Sequence, residues 1–338
     1  MKPILTIVIS TYNRAGLLKR NISKMLESTS DRVKFLVCDN ACTDNTWEIL
    51  NEIKDQRVDK YRNEENLDIN NTCLMSYRVE TPFFEIVNDR DYIEPQVIDE
   101  ILELLMHIED KCQIITIFKS NRIKAGYYKG TEMYPMYYLA NHPGRIIYNT
   151  KFFHTFLNRD MIEKLVYRHD SVQLLNYVTY QLMMNIEKGF YWSKDIIVQP
   201  ANRDKIKQAR KEHFGIAYIL PEHQMSLLDT YVEYSQNYQN LERVRSLLLA
   251  MYIDGLKKTE LEYAICVSSE KFRNRNNCTN ERPGKWLNNG WRFTFHVLNN
   301  KIVMRYKMCS AIKRAYIYNT FANGYRIVKT YIKREQTK

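Results

Sequence analysis

ILTIVISTYNR, residues 4–14, decides the fold. Ile4 to Ile9 are apolar or β-branched throughout, and the run stops at Ser10, Thr11 and Asn13. That is the pattern of a short strand buried on both faces. Leu17, Leu18, Ile22, Met25 and Leu26 then recur at helical spacing. Further along, VKFLVCD (33–39) reads as a second strand, and Asp44 as the N-cap of a helix carrying Trp47, Leu50 and Ile53. A weaker strand near 58–62 and a helix near 70–79 follow. FFEIVND (83–89) is the next strand. Pro95 opens a helix whose apolar face is Val97, Ile98, Ile101, Leu102, Leu105 and Ile108, and QIITIF (113–118) is another buried strand. Such alternation implies an α/β domain with a mostly parallel sheet and right-handed crossovers. From about residue 216 strand signals become rare. Leu227, Leu228, Tyr231 and Val232, then Leu241, Val244, Leu248 and Met251, imply a mainly helical C-terminal region.

The chain has 338 residues, 45% hydrophobic and 26% charged, an ordinary globular balance that excludes a disordered or fibrous chain. No apolar run approaches the roughly 18 residues of a membrane span, and MKPILTIVIS is too short and wrongly flanked for a secretory signal. The seven cysteines form no CxxC pair and have no histidine partner at zinc spacing, so reduced thiols in a cytoplasmic protein are expected. Net charge is +11, which invites nucleic acid, anionic membrane or phosphate-bearing substrates as partners. Its distribution is uneven. Residues 201–214 carry +3, 271–292 carry +5 and 301–338 carry +9, leaving −6 on the rest. A uniform nucleic-acid-coating surface is therefore not expected.

Ligands bind such sheets at the carboxyl ends of the strands. Three consecutive ends close on polar or acidic residues: Thr11-Tyr12-Asn13-Arg14, Asp39-Asn40 and Asn88-Asp89-Arg90-Asp91. Together they make a site by geometry, although any one of them also suits an ordinary turn. Four stretches resemble the inverting glycosyltransferases of family 2, which have the GT-A fold. Ile9–Arg14 resembles that family's opening strand and turn. Val37–Thr46 resembles its second strand and Asp-rich turn, with Cys42 in place of the usual serine. Arg62–Asp68 is similar to its third element, with Asp68 where glycine is usual. Val87–Pro95 is similar to its metal-binding Asp-x-Asp segment.

The resemblance implies a Rossmann-type catalytic domain over 1–215, with nucleotide-sugar and metal binding in 1–110 and the acceptor side in 111–215, followed by a helical basic region over 216–338. It implies that Asp39 binds the uracil or ribose, that Thr11, Tyr12, Asn13 and Arg14 line the nucleotide pocket, and that Asn66 and Asp68 lie beside it. A leaving diphosphate needs its charge neutralised, and a hard divalent cation (Mn²⁺ or Mg²⁺) held by Asp89 and Asp91 would do this. Either aspartate could instead only cap the next helix. Arg90 departs from the acidic or small residue usual there, and it could pair with a phosphate or with Asp89. The expected Glu-Asp pair of the general base is absent. Asp170 stands in that context before Val172, Leu174, Leu175, Val178 and Leu182, with His169 in reserve. Arg203, Lys205, Lys207 and Arg210 follow a last strand at 195–198, as a diphosphate clamp or a solvated linker.

Phe321, Tyr325, Val328 and Ile332 form one helical stripe with Arg326, Lys329, Lys333 and Arg334 around it, and 301–316 repeat the theme. Such helices suit an anionic membrane surface, here peripheral at the inner face of the plasma membrane, or else pack their stripe onto the catalytic domain. The expected activity is metal-dependent inverting transfer from a nucleotide diphosphate donor, a UDP-sugar, to a saccharide or lipid-linked saccharide. That activity would serve bacterial surface-polysaccharide or glycolipid assembly. Two alternatives are a nucleotidyltransferase, disfavoured by a single glycine after the first strand, and a non-enzymatic membrane-surface or nucleic-acid binding module.

Overall fold

The computed structural model describes residues 2–67, 70–109, 111–121, 123–140, 144–159, 173–198, 219–235, 239–301, 303 and 308–335. The chain forms two compact units, Met1–Ala201 and Asn202–Lys338.

The first unit is built on β1 (Leu5–Thr11), α1 (Ala15–Met25), β2 (Val33–Asp39), α2 (Thr46–Glu52), β3 (Val58–Arg62), α3 (Asn70–Tyr77), β4 (Phe83–Ile86), β5 (Tyr92–Ile93) and α4 (Pro95–His107). Then come β6 (Ile114–Ile117), β7 (Gly126–Lys129), α5 (Met133–Leu139), β8 (Ile146–Asn149), α6 (Thr150–His154), α7 (Gln173–Asn185), β9 (Lys188–Trp192) and β10 (Ile197–Val198). The main sheet has the order β3-β2-β1-β4-β8-β6-β9-β7. Its β3-β2-β1-β4 half is parallel, as the β-α alternation requires. Beyond it, the antiparallel β8 separates β4 from β6, which the sequence had placed directly in the parallel series. The four-residue β8 is too short to stand out as a strand pattern.

The odd-numbered residues of β1 and β2 face α1 and α4. Leu5, Ile7, Ile9, Phe35 and Val37 pack there with Leu18, Ile22, Ile98, Ile101 and Leu102 into one buried cluster. β4 leaves strand geometry at Ile86, three residues before the expected end, and the Asp91 N–H turns back to the Asn88 carbonyl (2.9 Å). β10 pairs antiparallel with β5, setting Val198 opposite Tyr92.

One residue breaks the apolar logic of this core. Glu85 on β4 lies opposite Ile7 and is fully buried, with neither carboxylate oxygen hydrogen-bonded among the described residues. Burial pushes its carboxyl well above the usual range. A raised folded-state value means that the ionisation cost of Glu85 is absent in acid and grows as pH rises through that value, while the unpaired carboxyl is costly at any pH. Glu85→Leu is therefore expected to raise stability by about 1–3 kcal/mol at neutral pH and by less below about pH 4. Urea titrations at the two pH values check this.

The second unit is helical among its described residues: α8 (Pro221–Ser235), α9 (Leu241–Lys257), a π-helical turn (Lys258–Glu262), α10 (Tyr263–Val267), α11 (Glu270–Arg275), α12 (Trp286–Asn299) and α13 (Cys309–Glu335). Tyr252 of α9 stacks on Phe293 of α12 at 5.7 Å. The π-turn carries Glu260, fully buried, which accepts from Thr320 Oγ1 (2.8 Å) and Asn323 Nδ2 (2.9 Å) and so pins α13 to the bundle. Gly290 makes room for this carboxylate; a Cβ there would lie 2.4 Å from Glu260 Oε1. Ile302 and Tyr306 of the expected 301–316 stripe lie outside the described residues.

Candidate functional site

Strand register assembles the site. Thr11 ends β1 opposite Asp39 at the end of β2, and Asp39 lies opposite Arg62 at the end of β3. Asp39 is fully buried. Its Oδ1 accepts the Cys42 N–H at 2.6 Å, closing an Asx-type turn in which Ala41 is held at φ +59°. Among the described residues its Oδ2 is buried without a hydrogen bond, and Arg62 Nε stands 3.7 Å away. Arg62 itself donates from Nη2 to the Cys42 carbonyl (2.7 Å).

The β1 turn is tied to the β2 turn. Asn13, at φ +52°, accepts the Thr43 N–H through Oδ1 (2.8 Å), and its own N–H meets Cys42 Sγ at 3.2 Å. Asp44 accepts from the Thr46 and Ala15 N–H groups, 3.2 Å each, so it serves the starts of both α2 and α1. The N-cap position of α2 belongs to Asn45, one residue later than the sequence suggested. Tyr12 is 40% exposed beside this turn.

The third strand end turns inward. Asp89 is 2% exposed and carries the Thr11 hydroxyl on Oδ2 (2.8 Å) and Arg14 Nη1 on Oδ1 (2.8 Å) and Oδ2 (3.0 Å). Asn21 of α1 donates to the Asp89 carbonyl at 2.8 Å. Burial raises the Asp89 carboxyl above its usual value, against the lowering pull of Arg14, the Thr11 bond and the charge of Arg90. The guanidinium on Asp89 is thus that of Arg14. Asp91, also buried, receives Asn88 Nδ2 on Oδ2 at 3.1 Å.

These residues can be tested against a divalent cation. Among the described residues no cluster of three or more His, Cys, Asp or Glu forms a metal cage. The donors at this strand end are hard carboxylate oxygens, and Asp89 commits both of its oxygens to Thr11 and Arg14. A hard cation held mainly by Asp91, with phosphate oxygens completing its shell, fits this donor set.

Asn40 was named with the second strand end but given no role, and Asn63, Asn71, Ser10 and Asn21 were given none either. Asn40 bridges the loop after β3: its Nδ2 donates to Asn66 Oδ1 (2.7 Å), and its Oδ1 accepts from Asn63 Nδ2 (2.8 Å) and the Leu67 N–H (3.1 Å). Asn63 also donates to Asn71 Oδ1 (2.9 Å), whose Nδ2 reaches Ser10 Oγ (2.7 Å). Asn21 was legible as a polar residue inside the apolar stripe Leu18-Ile22-Met25. The amide chain pairs residues 8 to 61 positions apart, which no local pattern records. Asp68, His169, Asp170, Arg203, Lys205, Lys207 and Arg210 lie outside the described residues.

Residues 6–166 match the model of Glycosyl transferase family 2. A 55-residue stretch is 33% identical to the UDP-Glc:alpha-D-GlcNAc-diphosphoundecaprenol beta-1,3-glucosyltransferase WfaP of Escherichia coli, and covers 16% of this chain and 22% of that protein. The chain is thus aligned to less than a quarter of this relative's length. The crystal structure of S. aureus TarS 1-349 superposes with a TM-score of 0.55 at 14% identity, covering 98% of this chain and 92% of that one. The complex of the same protein with UDP-GlcNAc gives 0.52 at 13% identity and the same coverage. At such identity the likeness establishes the fold. Residues 6–166 are thus similar to glycosyl transferase family 2, and the chain has a GT-A-like fold in its N-terminal unit.

Proposed function

We propose that the chain is an inverting glycosyltransferase taking a sugar from a nucleoside diphosphate donor, a UDP-sugar, to a saccharide or lipid-linked saccharide acceptor in bacterial surface-polysaccharide or glycolipid assembly. The observation that carries this reading is Asp39 Oδ2, a buried carboxylate oxygen without a hydrogen bond at the end of β2. Buried polar atoms are nearly always paired, so an orphan at the ligand-binding edge of a parallel sheet calls for a donor. The N–H of a uracil ring supplies one. Tyr12, exposed beside it, offers a face for the base, and Arg62 offers charge. The relatives support the choice of donor and acceptor: WfaP is named for UDP-Glc and a diphosphoundecaprenol-linked GlcNAc, and TarS binds UDP-GlcNAc.

In this reading Asp91 holds Mn²⁺ or Mg²⁺, with Asp89 beside it. A bound cation neutralises charge on the departing diphosphate. Arg14 and Thr11 fix Asp89, and Asn21 fixes its backbone, so the turn that presents Asp91 is braced before the donor arrives. Arg203, Lys205, Lys207 and Arg210 would add cationic contacts to the diphosphate. Asp170, with His169 in reserve, takes the proton from the acceptor hydroxyl as it attacks the anomeric carbon from the face opposite the diphosphate.

With a UDP-sugar, an acceptor and Mn²⁺, Asp91→Ala is expected to abolish transfer. Asp170→Asn should lower kcat about 10²- to 10⁴-fold while leaving donor KM in place. Transfer untouched by Asp91→Ala would remove the cation from the reading, and an unchanged kcat in Asp170→Asn would pass the base to His169.

A further inference from the structure

α13 has two apolar faces, and only one is covered. Ile312, Asn323 and Ile327 are buried against the bundle. On the opposite side Ile317, Tyr318, Phe321, Tyr325, Val328 and Ile332 fall within an arc of about 100° and stay exposed, Phe321 to 78% and Tyr318 to 74%. At its N-terminal end a shallow hollow lies against Arg314, Ile317, Tyr318, Phe321 and Ala322. α12 adds a second row at i, i+4 and i+8: Leu287, Trp291 and Phe295, with Trp291 50% exposed. Trp291 touches Tyr316 of α13 edge-on at 5.5 Å, which sets the second row beside that helix. Contiguous exposed apolar surface of this extent marks an interaction site.

We propose that this two-helix face docks onto the interface of an anionic lipid bilayer, independently of catalysis. The charge pattern selects that occupant. Lys313, Arg314, Arg326, Lys329 and Lys333 are exposed around the stripe, and the single carboxylate of α13 is Glu335 at its last residue. A second copy docking through the same stripe would bring this cationic rim against itself. Nucleic acid would answer the cations and leave the apolar row unused. Anionic headgroups answer the cations while acyl chains take up Phe321, Val328 and Ile332, and tyrosine and tryptophan rings suit the boundary between them. Among the described residues no helix is long and apolar enough to cross a membrane, so the face lies on the bilayer rather than through it.

Substitutions test this better than truncation, because removing α13 would leave Glu260 buried without Thr320 and Asn323. The full chain is sedimented with vesicles of phosphatidylcholine alone and of phosphatidylcholine with phosphatidylglycerol, and its thermal melt and sedimentation velocity are recorded. Binding to the anionic vesicles and far weaker binding to the neutral ones is expected. Changing Lys313, Lys329 and Lys333 together to glutamine should lower anionic-vesicle partitioning about a hundredfold. Changing Phe321, Tyr325 and Val328 to serine should lower it at least about thirtyfold with the melt unchanged. In Trp291→Phe the blue shift of tryptophan emission on binding should shrink. Four results would overturn the proposal: no binding to anionic vesicles, equal binding to both kinds, an oligomer that the serine variant dissolves in place of vesicle binding, or DNA retention that survives the serine changes without vesicle binding.

Discussion

Replacing Arg14 by methionine is expected to lower the melting temperature of the N-terminal unit by about 6–12 °C near neutral pH, and by far less in acid. Arg14 is the guanidinium partner of a carboxylate that is 2% exposed. Arg14 is itself half-buried. Removing it leaves the buried carboxylate uncompensated, at a cost of about 3 kcal/mol, and a unit of this size loses roughly 2–4 °C per kcal/mol. Asp89 already has a raised folded-state value from burial, so its contribution favours the folded state most in acid and declines as pH rises through that value. Without Arg14 the value rises further, and the added penalty appears only where Asp89 would ionise. Melts of both proteins from about pH 4 to about pH 8 should therefore diverge with rising pH. A constant offset across that range would mean that Arg14 acts through packing and not through Asp89. The variant should also lose transfer activity, because the turn carrying Asp91 begins at the residue Arg14 holds.

Asp39→Ala and Asp39→Asn are expected to weaken nucleoside diphosphate binding about tenfold to a hundredfold, the value of one hydrogen bond to a charged acceptor. The pair separates recognition from folding. Asparagine can still accept the Cys42 N–H and keep the turn with Ala41 at positive φ, but it puts an amide donor where Oδ2 now stands. A donor N–H on the base would then face another N–H. If Asn restored binding and Ala did not, Asp39 would be holding the turn and not the nucleotide.

The strands β1 and β2 were legible because they are buried on both faces and read as nearly unbroken apolar runs. VKFLVCD matches β2 residue for residue. The antiparallel half was harder to read: IIYN at 146–149 is four residues long and pairs with strands on either side that lie far off in sequence. FFEIVND was read three residues too long, since nothing local announces that Asn88 and Asp91 close a turn with one another. Thr11, Asp39, Asp89 and Asp91 stood out because polar residues end apolar strands. The pairing of Asp89 with Arg14, 75 residues away, did not, and the alternatives left open for Arg90 included that same carboxylate. Glu85 shows the converse: the sequence displays a charged residue in a strand, and only the structure reveals that its carboxyl is buried with no hydrogen-bond partner among the described residues.

The apolar stripe of α13 also reads directly from spacing, but spacing alone left open whether it was packed or bare. The buried face turned out to be the other one, organised by Glu260 and the space that Gly290 leaves for it. Trp291 and Phe295, on a different helix, extend the bare surface in a way no single-helix reading could reach.

The most direct test of the central claim is calorimetric titration of the purified chain with UDP, GDP and dTDP in the presence of Mn²⁺, repeated with Asp39→Asn. Saturable binding is predicted, strongest for UDP and weakened about tenfold or more in the variant. No heat with any of the three at millimolar concentration, or equal affinity in the variant, would contradict the assignment of the β1–β2–β4 strand ends as a nucleotide-sugar site.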